Sequence, residues 1–405
     1  MSFQKSYELM VLIALGLLGY SCVEPFEPQT VTFESALVIG ATITNELKFQ
    51  QVSLSRTFTF EEDALRAESN ANVKIVDDSG NEFIFQESIE GIYVSTVAFA
   101  ASADSDYKLE ITTNDGRSYA SQNAQLTAVT QIDQLYAERL TNDDGEEGVA
   151  ILLNSFDPSG RSKNYRYVYE ETYKIIAPNW TTKDLVVVPS GPNVPICAVE
   201  VVPREQAEQV CYTTDNSNAI ILTDTNGLTE DKVDSFVVRF INRDNYIISH
   251  RYSILVKQLV QSNEAYTFFE TLNSFSGAES LFSETQPGFL SGNVFSEDDP
   301  NEMVLGYFDV ASVSEQRIFF NYEDLFPSEP LPPYTIPCVE VAPPLVAPGI
   351  PPKCVLSIMV EVNSVKYVNE NDAPQLGEGP FLVVPRECGD CTALGGTEVP
   401  EFWEE

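Results

Sequence analysis

The chain has 405 residues, 43% hydrophobic and 11% aromatic, with 61 Asp and Glu against 23 Lys and Arg, a formal net charge of −38. That apolar content suits packed cores and excludes a solvated acidic coil; the length suits two or three domains, since single cores stop growing at about 250–300 residues. So acidic a surface repels phosphates, which excludes nucleic acid as a partner; the carboxylates serve solubility, with weak calcium binding as their second use and no other cofactor indicated.

In chain order, Lys5, the apolar run Leu9–Leu18 and then Gly19, Tyr20, Ser21 and Cys22 have the layout of a secretory signal peptide. The run is about half the ~20 residues a membrane span needs. A cysteine directly after it is what a bacterial lipoprotein presents for acylation, so residues 1–21 are expected to be a lipoprotein signal peptide and Cys22 the lipidation site. Residues 22–32 read as an extended tether, because Pro25 and Pro28 each remove an N–H and fix φ.

Residues 33–128 read as an N-terminal β-sandwich. Runs such as Gln51–Arg56, Asn72–Asp77, Glu82–Gln86, Gly91–Val97 and Tyr107–Thr112 alternate or are β-branched, with tight-turn sequences at Asp78–Asn81 and Asn114–Gly116. Only Glu61–Glu68 reads as a short helix. The order of these strands looks like a transthyretin-type module, Ig-like in its layering.

Residues 129–326 read as a second, fibronectin-like β-sandwich with one inserted helix at about 263–276. Ser262 or Asn263 serves as N-cap, Glu264 favours the first turn, and Ala265, Phe268, Phe269, Leu272 and Phe275 follow helical spacing. In the strand 165–173, Tyr165, Tyr167, Tyr169 and Tyr173 share one face by the period of two. That face suits a sheet core better than a sugar platform. Overall the fold class is all-β: two β-sandwich domains, one helix, and a Pro/Cys-rich C-terminal segment, 327–405.

Removing Cys22 leaves six cysteines, an even set that in an exported chain points to disulfides. Cys197 to Cys211 and Cys338 to Cys354 close proline-rich loops of 13 and 15 residues, so local bridges are expected there. Cys388 and Cys391 close on each other, form a redox pair, or cross-pair. A redox Cys-x-x-Cys normally opens a helix beside a βαβ unit, and zinc lacks a nearby histidine, so a structural disulfide is favoured. His250 is the one histidine and has no nucleophile motif near it, which makes a Ser-His-Asp or Cys-His device a poor reading. The acidic loops Asn142–Glu147, Asp224–Gly227 and Glu297–Glu302 lack the full EF-hand spacing and read as turns. No catalytic residue and no metal ligand is therefore assigned.

Two blocks carry a family resemblance: Ser291–Ile318, with Gly292-Asn-Val-Phe295, Asp299-Pro300 and Leu305-Gly-Tyr-Phe308, and Cys388–Trp403. With the Ser-Cys-Val-Glu-Pro start, the chain resembles the Bacteroidota lipoproteins grouped as domain of unknown function 4249. The resemblance implies an outer-membrane lipoprotein, at the cell surface or the periplasmic face, often encoded beside a TonB-dependent receptor of the starch-utilisation type. The expected task is then an accessory or ligand-capture role in nutrient uptake, without catalysis. The alternatives are a free-standing module that binds a glycan or peptide, and a carboxylate-pair hydrolase.

Overall fold

The computed structural model describes residues 35–57, 66–189, 197–276, 290, 292–349 and 353–405. Cys22, the leader and the tether lie outside the described residues, as does most of the expected helix 61–68, whose end at Arg66–Ala67 is strand.

The first body contains β1 (Leu37–Thr44), β2 (Gln51–Arg56), β3 (Arg66–Ala67), β4 (Asn72–Asp77), β5 (Glu82–Ile89), β6 (Ile92–Ser95), β7 (Asp106–Thr112), β8 (Ser118–Ser121) and β9 (Ala124–Gln125). Alternation decides the faces: Leu37, Ile39, Ala41 and Ile43 point into a core shared with Val73, Ile75, Leu109 and Ile111. The turn at 78–81 forms as its sequence suggests, with the Asp77 carboxylate accepting from the backbone N–H groups of Ser79 and Asn81.

The second body contains β10 (Ile132–Thr141), β11 (Glu147–Asp157) and β12 (Asn164–Ile176). A hairpin leaves it, β13 (Lys183–Val187) and β14 (Val199–Pro203), and β15 (Val210–Asn216), β16 (Ile221–Asp224), β17 (Asp231–Asn242) and β18 (Arg251–Gln261) follow. The sheet β10-β11-β17 packs over β12, β15 and β18. Tyr165, Tyr167 and Tyr173 are buried in that core and Tyr169 packs against it, so the tyrosine face is sheet interior; Tyr167 stacks on Phe236 at 5.1 Å.

Helix α1 (Asn263–Ser276) follows β18 directly. Ser262 is the cap: its Oγ accepts from the backbone N–H of Ala265 at 3.1 Å. After it come β19 (Val294–Ser296) and the long β20 (Val304–Asn321). The first half of β20 runs parallel to β1, and its second half runs antiparallel to β18. β19 pairs with β8. The described residues of the second stretch, 129–326, are thus shared out, because β19 and half of β20 complete the first body.

The first body's sheet also closes on itself. Asn293 donates from Nδ2 to the Phe308 carbonyl at 2.8 Å and accepts the Phe308 N–H on Oδ1 at 2.7 Å, a side-chain clamp that brings β19 back beside β20. One strand therefore belongs to both sheets, and the two bodies share a continuous hydrogen-bonded ladder.

The C-terminal segment builds a small third core. β21 (Val346–Ala347), β22 (Lys353–Cys354), β23 (Val365–Glu370) and β24 (Phe381–Pro385) pack with the β13–β14 hairpin around Leu185, Leu356, Val365, Tyr367 and Val383. This packing overturns the expected local bridges. The disulfides are Cys197–Cys354, Cys211–Cys391 and Cys338–Cys388. The hairpin that carries Cys197 leans away from Cys211 onto the C-terminal core, while Cys211, on β15, faces the second body's core and meets Cys391 there. Cys388 and Cys391 neither close on each other nor form a redox pair; each holds a different partner. Phe402 lies under Arg317 at 3.6 Å and Trp403 sits edge-on to Tyr212, so the last residues are packed as well.

Candidate functional site

Helix α1 projects from the second body across the outer face of β1, β2 and β20 in the first. Between them lies a cleft of about 490 Å³, within the ~300–1,000 Å³ range of small-molecule sites. Its floor is the outward-facing row of β1, namely Val38, Gly40 and Thr42, with Leu305 and Tyr307 of β20. Its roof is Phe268, Phe269 and Leu272 of α1. Phe268 is buried and meets Tyr307 at 5.3 Å, while Leu272 stands 36% exposed at the mouth.

One charged side chain enters this apolar space. Arg166 follows Tyr165 on β12 and so, by the period of two, points away from the tyrosine core and under α1. Its guanidinium lies 4.3 Å from the Phe269 ring, and one Nη2–H donates to Thr42 Oγ1 at 3.3 Å. Asp309 of β20 is fully enclosed beside it, with the nearest oxygen 4.0 Å from Arg166. The tighter partner of that oxygen is Gln261, whose Nε2 donates to it at 2.9 Å. Burial pulls the Arg166 pKa down, against the Asp309 charge, and pushes the Asp309 carboxyl up despite the guanidinium and the Gln261 amide.

The junction carries a second device. Glu46, after β1, accepts from Lys48 and, across the two bodies, from Lys257 of β18, each at 2.5 Å. Burial raises its carboxyl, but the two lysines outweigh that and hold it at about 2. A carboxylate held lower when folded than when unfolded contributes stability above its unfolded pKa of about 4.5 and loses it as pH falls towards 2. We expect Glu46→Gln to remove an acid-sensitive contribution of about 1 kcal/mol, solvent screening allowed for. Urea midpoints recorded from pH 5 to pH 2 check this, since the variant's profile should be the flatter one.

A larger cleft, about 850 Å³, opens at the end of the first body where Ser35 begins the described chain. Its charges satisfy one another: Arg56 pairs with Glu68 at 2.5 Å, and Glu302 takes Arg117 at 2.9 Å and the Tyr119 hydroxyl at 2.6 Å. Inside the second body, Glu171 is buried but fully engaged, accepting from the Tyr252 hydroxyl at 2.5 Å and twice from Arg239 at 3.2 Å. The groups named in both arrangements are thus engaged with one another among the described residues.

The residues singled out by sequence are scattered. His250 lies just before β18, and burial together with the Lys174 charge pulls its pKa below the usual imidazole value. One side chain in each acidic loop caps its own turn: Glu146 N–H donates to Asn142 Oδ1, Asn226 N–H to Asp224 Oδ1, and Asn301 N–H to Asp299 Oδ1, while Glu147 and Glu302 pair with arginines of other elements. Among the described residues no three His, Cys, Asp or Glu side chains converge as metal ligands. Sequence reasoning missed Arg166 and Asp309. The signal for Arg166 was a cation set between Tyr165 and Tyr167 in a tyrosine-rich strand, on the face opposite the rings.

No curated protein matches this chain. Residues 23–317 match the family described as Domain of unknown function (DUF4249), which takes in all but the last residue of the block Ser291–Ile318 but not Cys388–Trp403, and the chain belongs to that family.

Proposed function

We propose that the chain is a non-catalytic, lipid-anchored outer-membrane protein that acts as an accessory, ligand-capturing subunit of a TonB-dependent uptake system. The cleft under α1 carries this reading: it is a concave apolar site at a junction of two bodies, with one partly buried cation inside it. Export is supported by the apolar leader ending at Cys22 and by three long-range disulfides, which suit an oxidising compartment. The non-catalytic part is supported by the state of two buried carboxylates. Glu171 is held by Arg239 and Tyr252, and Asp157 accepts the backbone N–H groups of Ser159, Arg161 and Ser162.

The test is affinity capture from detergent-solubilised membranes of cells that make the chain. Co-purification of an outer-membrane β-barrel transporter, lost when Cys22→Ser abolishes anchoring, is the expected result. Repeated recovery of the chain without any such transporter would remove the accessory role and leave a free-standing binding module.

A further inference from the structure

We propose that the cleft beneath α1 binds an apolar carboxylate, an aryl- or alkyl-carboxylic acid, with its carboxylate on the Arg166 guanidinium and its hydrocarbon against Phe268, Phe269 and Leu272. This rests on the ligand-capture half of the function above and not on the transporter half.

The argument starts from the donors of Arg166. A guanidinium offers five N–H groups in a planar fork. Thr42 takes one, and Nε has no acceptor among the described residues although it is buried. Asp309 does not saturate the fork, because its closest oxygen is 4.0 Å away and is committed to Gln261. A desolvated cation with spare donors is costly to leave unmatched, and a carboxylate matches two parallel N–H groups better than any neutral group does. The Phe269 ring fixes the guanidinium plane from one side.

The walls define the rest of the ligand. A sugar presents several hydroxyls, each needing a partner, whereas this floor and roof offer mainly the aliphatic and aromatic faces of Val38, Leu305, Phe268, Phe269 and Leu272. A hydrocarbon or aryl body gains from those surfaces in proportion to the area it hides. The net charge of −38 opposes an anion at long range, so the affinity must come from contact within the cleft, not from steering.

The test uses the full chain carrying Cys22→Ser, purified without detergent, and the probe pair 4-phenylbutyrate and 4-phenylbutanamide, which differ in charge and hardly in shape. Calorimetry should give the acid at least a tenfold lower Kd, about 1.4 kcal/mol, than the amide. Arg166→Gln made together with Asp309→Asn, which neutralises both buried charges at once, should erase that preference while the amide still binds. Because Leu272 stands at the mouth of the cleft, Leu272→Glu leaves the fold intact and should weaken the acid at least fivefold relative to Leu272→Lys. Equal binding of acid and amide, no binding of either at millimolar concentration, or a preference that survives the double neutralisation would each overturn the proposal. Binding of the acid with no transporter captured would fail the accessory role alone; capture without binding would fail this site alone.

Discussion

Replacing Cys211 and Cys391 together with alanine is expected to cost more stability than removing either of the other two disulfides, about 2–5 kcal/mol. The bridge spans 180 residues, against 157 for Cys197–Cys354 and 50 for Cys338–Cys388. The unfolded chain regains the most freedom when the longest loop opens, roughly 5 kcal/mol by the chain-entropy relation and about 1 kcal/mol more than for the shortest. Both sulfurs also sit in the second body's core, so their loss removes packing as well as a constraint. The three loops overlap in sequence, and the three losses will therefore not add.

The local consequence can be read separately. Trp403 sits 5.0 Å from Tyr212, the residue after Cys211, and the only other tryptophan is Trp180. In a Trp180→Phe background, Trp403 fluorescence reports the docking of the C-terminal segment, while far-ultraviolet circular dichroism follows the sheets. Loss of Cys211–Cys391 should separate the two signals, with Trp403 released at lower urea than the strands. Coincident transitions at an unchanged midpoint would show that packing at Phe319, Tyr212 and Arg317 holds the segment without the bridge.

The residues differ in how plainly they announce their structure. Asn72–Asp77 and Glu82–Gln86 alternate around a turn sequence, and such a hairpin is written within fifteen consecutive residues. The helix after Ser262 is equally local, since a cap and a stripe suffice. Cys197 is the opposite case. Its nearest cysteine in sequence is the wrong partner, because the hairpin carrying it packs on a core assembled from Leu356, Val365 and Val383, far along the chain. Arg166 hides for a related reason. An outward-facing cation on a strand looks like ordinary surface until a helix from beyond β18 is laid over it, and Asp309, likewise, is one acid within the apolar first half of β20 until the two meet. Cysteine pairing and the cleft are both products of long-range packing, which no local period encodes.

The same logic gives Gly306→Ala a large expected penalty, about 3 kcal/mol or more. Gly306 lies opposite Ile39 in the parallel ladder of β20 and β1, with φ at +128°, a backbone region that side chains strongly disfavour. A Cβ there would stand 2.0 Å from the Ile39 carbonyl oxygen and 2.8 Å from its carbon. Those are main-chain atoms of a strand hydrogen-bonded to β2 on its other edge, so they have no rotamer by which to withdraw. On the closing side the approach is as tight, since a Cβ built on Gly292 would fall 1.6 Å from the Gly306 carbonyl oxygen. Gly80→Ala is the control: its φ is +83°, but nothing lies within 4 Å of a Cβ there, and the expected cost is only about 1 kcal/mol. Urea unfolding of the two variants side by side separates strain alone from strain plus collision. Because β20 continues from this point into the ladder with β18, displacing Gly306 should also shift the floor of the cleft beneath α1. A Gly306→Ala variant no less stable than Gly80→Ala would mean that β1, β20 and the residues before β19 do not approach this closely, and the shared strand joining the two bodies would have to be redrawn.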